Sequence, residues 1–436
     1  MSKKFCWTSL LCKSRPHTGE EKKAQVEVGS NLVRNHFDQD YGRVVFSPPF
    51  RRLSKKTQVH PFSNIDFIHN RLTHSVEVAS LGQTFGLSLA KFLKAKKQMP
   101  PDVTDADFSS ILSAACSAHD IGNPPFGHAG EEAIRAWAEK TDWSALGAAQ
   151  PTDWLCYDGN AQAFRMVSNP SPRDSSYFRL TYATCGTLVK YPWIAGTGKK
   201  KDKAGCFSYE EDADRFNDIM SNLGLKDGAK GVYFRHPLSY LLEAADDICY
   251  QVMDVEDAVT MHIIAEERIK SLLANLTGER VDCPIQHLRG KAIHRLCECA
   301  FSTFVQNYSK IMQGAFEGSL VDSSSFALRD QFKQLKAEYE EIFSTRSKVS
   351  AEVACFEIMD KLLTRYSKFA LNMCTARSIN RIHSADQKLL YFTWGREYGE
   401  KVIKEHAGDM MWWLHAVTDH IVGMTDDYAR NTAAMF

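Results

Sequence analysis

No stretch of this 436-residue chain strings together the roughly eighteen apolar residues of a membrane-spanning helix, so no membrane association is expected. Its twelve cysteines are scattered from Cys6 to Cys374 without one Cys-x-x-Cys pair. The only close pair, Cys297 and Cys299, is too isolated for a structural zinc site, so reduced thiols are the simplest account. Neither charge sign is in excess: Lys+Arg and Asp+Glu both number 53, so no global basic surplus advertises nucleic acid or anionic lipid. Lys3, Lys4, Lys13 and Arg15 interrupt the short apolar run at the start, so no secretory leader is expected there. A soluble, cytoplasmic protein is the expectation. Also missing are a convincing strand series, an internal repeat and a low-complexity tract.

What remains is helix. Apolar residues make up 44% of the chain and charged ones 24%, an ordinary globular balance. The periodicity predicts an all-α fold, residues 1–436 forming one continuous globule with at most a tiny hairpin. Residues 1–30 read as a loosely held polar arm, Arg43 to Gln58 as a solvated connector, and 135–160 as a surface excursion. Residues 160–167 and 181–189 read as helices; 168–175 and the Gly/Lys-rich 196–206 read as loops. Beyond 262 the pattern stays helical over 293–313, 328–343, 351–373 and, with interruptions, 386–430. Met410 to Trp413 (MMWW) reads as too apolar for a solvated helix end, which points to contact with another copy.

The most informative stretch is Ile111 to Ile134, ILSAACSAHDIGNPPFGHAGEEAI. Thr104 with Asp107 predicts a capping box. Phe108, Ile111, Leu112, Ala115 and His119 then recur at spacings of three and four, placing His119 on the apolar stripe. Gly122 and Pro124-Pro125 end the helix just after Asp120. A stiff loop follows and delivers His128, with Glu131 one turn into the next helix. Taken alone, His119-Asp120 is more often a core imidazole bonded to a helix-end carboxylate than a functional pair.

Two further helices change the balance. From Arg71, residues His74, Val78, Leu81, Phe85, Leu89 and Phe92 form a second apolar stripe with a histidine near its start. Pro237 opens HPLSYLLEAADDICYQVMDVEDAV, where Asp246, Tyr250 and Asp254 make a polar ladder at one-turn steps. His74, His119, Asp120 and Asp246 thus offer two imidazoles and two carboxylates from three helices. That set suits a borderline-to-hard divalent ion such as Mn²⁺, Mg²⁺ or Fe²⁺.

With these motifs the chain resembles the HD-superfamily deoxynucleoside triphosphate triphosphohydrolases, the dGTPase family. The resemblance rests on SPPFRRLSKKTQV (47–59), NRLTHSVEV (70–78), AHDIGNPPFGHAGEEAI (118–134), GNAQAFR (159–165), LVKYPW (188–193) and EAADDICYQVMDVEDA (243–258). It continues more faintly in IVGMTDDYA (421–429) and covers most of the chain from about residue 40. It implies an HD-domain catalytic core over 71–255, with a C-terminal helical part, 256–436, packing on it. By position it implies that His74, His119, Asp120 and Asp246 bind the metal and that His128 and Glu131 are the catalytic pair. Arg71 would hold the phosphates with Lys190 and Lys203, and Gln58, Tyr250 and Asp254 would recognise the deoxyribose. Asn160, in GNAQAFR, falls among the substrate-binding positions. The implied reaction is metal-dependent hydrolysis of a deoxynucleoside triphosphate, dGTP being favoured, to the nucleoside and triphosphate. A homo-oligomer, plausibly a hexamer, and a nucleotide or single-stranded DNA effector are implied as well. Residues 135–158 and 260–400 diverge, which leaves the base open.

Two other readings compete. An HD phosphodiesterase or 5′-nucleotidase shares the metal ligands but needs neither the Arg71/Lys190/Lys203 array nor the GNPPFGH loop. A non-catalytic nucleotide- or single-strand-binding protein needs neither His128 nor Glu131.

Overall fold

The computed structural model describes residues 5–16, 34–58, 68–148, 151–169, 178–198, 200–227, 231–338, 342, 345–376, 384–395, 398 and 400–436. Its first helix, Trp7–Leu10 (α1), overturns the loose-arm expectation for the part described. Phe5, Trp7, Leu10 and Leu11 are buried. The Trp7 indole donates to the Tyr308 hydroxyl (2.8 Å), and Phe5 N donates to the Met312 carbonyl (2.8 Å). The physical reason is the apolar content of FCWTSLLC, which the lysines flanking it obscure; the rest of the arm, 1–4 and 17–33, lies outside the described residues.

The expected connector is likewise core. His36–Val45 (α2) starts at an Asn35 cap, and Pro48–Arg52 (α3) starts at Ser47, with prolines in the first turn, where a missing N–H costs little. Phe50, Leu53 and Lys56 are buried, so the basic residues of 43–58 flank a buried apolar set.

Arg71–Ala95 (α4) and Asp105–Ala118 (α5) then pack along one another as their stripes predict. His74, Val78, Phe85 and Leu89 face inward from α4; Phe108, Ile111, Leu112 and Ala115 face inward from α5. Thr104 N donates to the Asp107 carboxylate (2.8 Å), the predicted cap. His128–Lys140 (α6), Thr152–Leu155 (α7), Gly159–Ser168 (α8) and Tyr182–Leu188 (α9) follow. Here the expected surface excursion is also corrected: Trp137, Trp154 and Tyr157 are buried, because three large aromatics too irregularly spaced to show a period still need a core. Most of the loop expected at 168–175 lies outside the described residues.

Glu210–Asn222 (α10) leads to a two-stranded hairpin, Lys226–Asp227 with Val232–Tyr233, and to Pro237–Thr260 (α11). Glu266–Thr277 (α12), Ile285–Ile311 (α13) and Arg329–Ala337 (α14) complete the first apolar cluster with α4, α5, α9 and α11. The second cluster joins α6 to Arg346–Ala376 (α15), Ala385–Thr393 (α16), Glu400–Glu405 (α17), Met410–Val422 (α18) and Asp426–Ala434 (α19). Met410, Trp412 and Trp413 are buried in it, with the Trp412 ring stacked on His406 at 3.7 Å. MMWW is therefore internal packing, not the exposed face expected.

The start of α4 is tied to the end of α11 by His69. Its backbone N donates to Asp257 Oδ2 (3.0 Å), Nδ1 meets Asp257 Oδ1 (2.7 Å), and Nε2 meets Glu77 Oε1 (3.2 Å). Hydrogen bonds to Asp257 and then Glu77 raise the His69 imidazolium to about 10 against the desolvation of burial. A raised pKa contributes stability that is fully present below the unfolded value near 6.5 and is lost as pH climbs through about 10. Replacing His69 by Gln should therefore destabilise the protein by about 2 kcal/mol at pH 6 and much less at pH 10.5. Chemical denaturation of both proteins at the two pH values checks this, and an equal penalty at both contradicts the charged latch.

Candidate metal centre

Four of the expected residues converge where α4, the end of α5 and α11 meet. His74, His119 and Asp120 each offer a ligand atom within 4.8 Å of the others. Asp246 joins them from α11: its Oδ1 lies 3.0 Å from His74 Nε2 and 3.4 Å from His119 Nε2. His119 Nε2 is also 3.5 Å from Asp120 Oδ1.

The helix end sets the tautomer. His119 Nδ1 lies 2.6 Å from the Cys116 carbonyl, so that nitrogen carries hydrogen and donates to the backbone. Nε2 is then buried without a hydrogen-bond partner, facing two carboxylates. Such a nitrogen is completed either by a proton, as an imidazolium facing the carboxylates, or by a metal cation in the proton's place. Burial lowers the His119 pKa, but Asp120 and Asp246 outweigh it and raise it to about 9. Burial opposes ionisation of Asp246 too, yet the two imidazoles hold its carboxyl well below the usual range. Asp120 is held below its ordinary value against burial chiefly by Arg71, whose Nη1 donates to Oδ2 at 2.8 Å. The donor set fits a divalent cation.

Asn123 links this ring to the second group. Its side-chain amide donates to Asp120 Oδ1, and its Oδ1 sits 2.4 Å from where a Cβ on Gly159 would stand. Gly159 N donates to Glu131 Oε1 (2.7 Å), leaving Glu131 Oε2 to meet His128 Nδ1 at 3.0 Å. Glu131 is buried, whereas the His128 side chain is 68% exposed at the first turn of α6. Burial disfavours the Glu131 anion, but His128 and Lys203 lower its pKa overall. Between ring and pair, Gly127 adopts φ +59°, and a Cβ there would lie 2.4 Å from Arg71 Nη2. Only glycine lets the loop pass over that guanidinium.

The remaining expected residues fall into three places. Lys190 Nζ is 3.3 Å from Glu243 Oε1, and Lys203 lies in the field of Asp158 and Glu131. Asn160 turns to Asp158, donating to Oδ1 through both its backbone N (2.9 Å) and its amide (2.8 Å). Tyr250 presents its ring edge-on to His74 at 6.5 Å, one turn before buried Asp254. Gln58 has a buried Oε1 without a hydrogen-bond partner.

Some contributors escaped the sequence reading. Asp158 caps α8 and accepts from Ala204 N (3.1 Å), joining the Gly/Lys-rich loop to the Glu131 side; an acid just before GNAQAFR was its signal. Asp426 accepts from Thr57 N at Oδ2 and from Phe126 N at Oδ1, both at 2.9 Å. Lys56 donates to the Asn123 (2.7 Å) and Val422 (2.6 Å) carbonyls, and burial pulls its amine down to about 7. Nothing in SKKTQ distinguishes that buried lysine from its exposed neighbours. Lys348, buried near the start of α15, is lowered by burial and counts Glu352 and Asp254 among its nearby anions.

A ring of this kind, with HD at a helix end and outlying His and Asp from flanking helices, defines an HD-domain protein, and residues 71–152 match the HD domain family. Over nearly the whole chain it is similar to the deoxyguanosinetriphosphate triphosphohydrolase-like protein of Pseudomonas aeruginosa (strain LESB58), 35% identical across 98% of this chain and 97% of the relative. The protein so described from Synechocystis is 33% identical across 96% of both. The deoxyguanosinetriphosphate triphosphohydrolase of Yersinia enterocolitica is 27% identical across 90% of this chain and 92% of its own. The chain belongs to this deoxyguanosinetriphosphate triphosphohydrolase-like family of HD-domain hydrolases.

Two outcomes follow from the geometry. His119→Ala should abolish retention of the divalent ion while leaving the helical circular-dichroism signal intact; full metal by elemental analysis would remove His119 from the donor set. Asp426→Ala leaves two N–H groups without their acceptor, a cost of about 1–3 kcal/mol each. Hydrogen exchange should then accelerate at Thr57 and Phe126, and unchanged protection across 123–128 would show that Asp426 does not hold the loop.

Proposed function

We propose that this protein hydrolyses a deoxynucleoside triphosphate at the α-phosphorus, releasing the deoxynucleoside and inorganic triphosphate, with dGTP the favoured substrate. The observation that carries the reading is the juxtaposition of the His74/His119/Asp120/Asp246 ring with the His128–Glu131 pair, joined through Asn123 and Gly159.

His74, His119, Asp120 and Asp246 would hold a divalent ion, Mn²⁺, Mg²⁺ or Fe²⁺. That ion supplies charge neutralisation and polarisation at the α-phosphate. Arg71, beneath Gly127 and beside Asp120, reaches the same phosphate, while Lys190 and Lys203 approach from the Glu243 and Asp158 sides to take the outer ones. Water oxygen bonds to the α-phosphorus, the bond from phosphorus to O5′ breaks, and O5′ leaves with a proton. His128 is the group placed to move that proton: it is exposed toward solvent at Nε2 and anchored at Nδ1 by Glu131. Glu131 is fixed by Gly159 N, so it orients the imidazole without moving itself.

Beyond the metal ligand Asp246, the α11 ladder meets the sugar. Asp254 accepts from a 3′-hydroxyl, Gln58 donates to that oxygen through its side-chain amide, and the Tyr250 ring packs against C2′. A 2′-hydroxyl buried against that ring lacks a partner, which costs about 1–3 kcal/mol and disfavours ribonucleotides by roughly one to two orders of magnitude. The family resemblance adds a homo-oligomer and a nucleotide or single-stranded DNA effector.

Purified protein supplied with Mn²⁺ or Mg²⁺ and each dNTP separately should yield triphosphate and deoxynucleoside, with the matching NTPs much poorer. Orthophosphate or pyrophosphate as the first product would overturn the reading. His128→Ala should lower turnover by about two to four orders of magnitude with metal still bound, and Glu131→Gln by less. A near-normal rate for His128→Ala would remove it from the chemistry.

A further inference from the structure

We propose a second, zinc-class metal site at the α12–α13 connection, formed by Glu279, Cys283 and His287 and independent of the HD ring. Their carboxylate, thiol and imidazole each offer one ligand atom, all within 4.8 Å of one another. His287 Nε2 and Glu279 Oε2 are already 3.7 Å apart. A tetrahedral zinc site, with bonds of about 2.0–2.3 Å, separates its ligand atoms by roughly 3.3–3.6 Å, so side-chain rotation of an ångström or so closes the set.

The backbone holds the three donors on one side. Gly278, at φ +76°, turns the chain out of α12, and Glu279 N donates to Thr277 Oγ1 at 3.2 Å. Cys283 N closes a turn onto the Arg280 carbonyl (3.2 Å), and His287 N donates to the Pro284 carbonyl (3.0 Å). Cys283 stands just before the Pro284 cap of α13 and His287 in its first turn, so both lie at the same helix start. The local charges leave the donors available. Lys291 approaches the other Glu279 oxygen, Oε1, at 4.0 Å, and Asp282 is taken by Arg280 at 3.0 Å.

One soft thiolate, one imidazole and one carboxylate select a borderline ion such as Zn²⁺ over Mg²⁺, with water in the fourth position. On binding, the Cys283 thiol releases its proton to solvent and the thiolate takes the metal. The HD ring contains no sulfur ligand, so the two sites differ in a directly visible property.

Cobalt reads that difference. The metal-depleted full-length protein is titrated with Co²⁺, following near-ultraviolet thiolate-to-cobalt charge transfer and the cobalt bound per chain. The wild type should show the thiolate band. Cys283→Ser and, separately, His287→Ala should lose the band and one equivalent of cobalt, with circular dichroism unchanged. His119→Ala should keep the band while losing the ring's equivalent. Absence of the band from the wild type, or its persistence in Cys283→Ser, overturns the proposal. Either result leaves the triphosphohydrolase reading untouched.

Discussion

A buried carboxylate, Asp120, and a half-buried one, Asp246, facing the same imidazole are the constraint on which the rest of this structure depends. Asp120 and Asp246 lie in a helical interior where an isolated anion is heavily penalised. Each survives ionised because neighbours converge on it: Arg71 and Asn123 on Asp120, His74 and His119 on Asp246. Those neighbours come from α4, the end of α5 and the following loop, so the angle between α4, α5 and α11 is set by the need to satisfy these charges as well as by apolar packing. His69 fixes the same angle from the other side, tying the start of α4 to Asp257 near the end of α11.

The loop that carries His128 depends on a different partner. Residues 123–128 follow α5 with Phe126 and Gly127 both at positive φ, a conformation strained for a phenylalanine. Its stability comes from the other end of the chain. Asp426 takes the Phe126 and Thr57 amides, and Lys56 spans from the Asn123 carbonyl to the Val422 carbonyl. The last helices thus close on the loop that presents His128, and at the same time fix the strand-like residue beside Gln58. That gives the faint TDDYA similarity at the C-terminus a physical content: Asp426 is the helix-start acid that cross-links two distant segments.

Legibility in the sequence followed the kind of force involved. The α4 and α5 stripes and the Thr104–Asp107 cap were visible because they obey short periods within one helix. His119 and Asp120 could be placed at a helix end because Gly122 and the proline pair stop the helix there. The docked Trp7 segment, the buried 43–58 stretch and the aromatic 135–160 region were misread because their burial is settled by distant partners, such as Tyr308 for Trp7. MMWW was misread for the same reason: an apolar run reports a need for burial but not whether the cover is another copy or α15, α16 and α17 of the same chain. Lys56 and Lys348 are illegible in the strictest sense, since nothing local separates a buried lysine, whether it donates to carbonyls as Lys56 does or meets Glu352 as Lys348 does, from one in solvent.

Charge balance explains why this architecture calls for a cation before it can take a polyphosphate. Within the ring, two carboxylates face one permanent cation, Arg71, and the deficit is partly met by raising His119 to about 9. Around the His128–Glu131 pair, Glu131 and Asp158 share Lys203, and the shortage shows as a raised Asp158 pKa, driven by burial and then by Glu131. The ring therefore balances only while His119 is protonated, whereas the two carboxylates beside Lys203 outnumber it by one. A triphosphate arriving alone would compete with Asp120 for Arg71 and with Asp158 for Lys203, and would add its own repulsion to both. A divalent ion held by the ring would offset the charge of Asp120 and Asp246, which at Asp120 is otherwise met by Arg71 and Asn123. The carboxylates that make the site costly to fold are thus the same groups that would draw a cation into it.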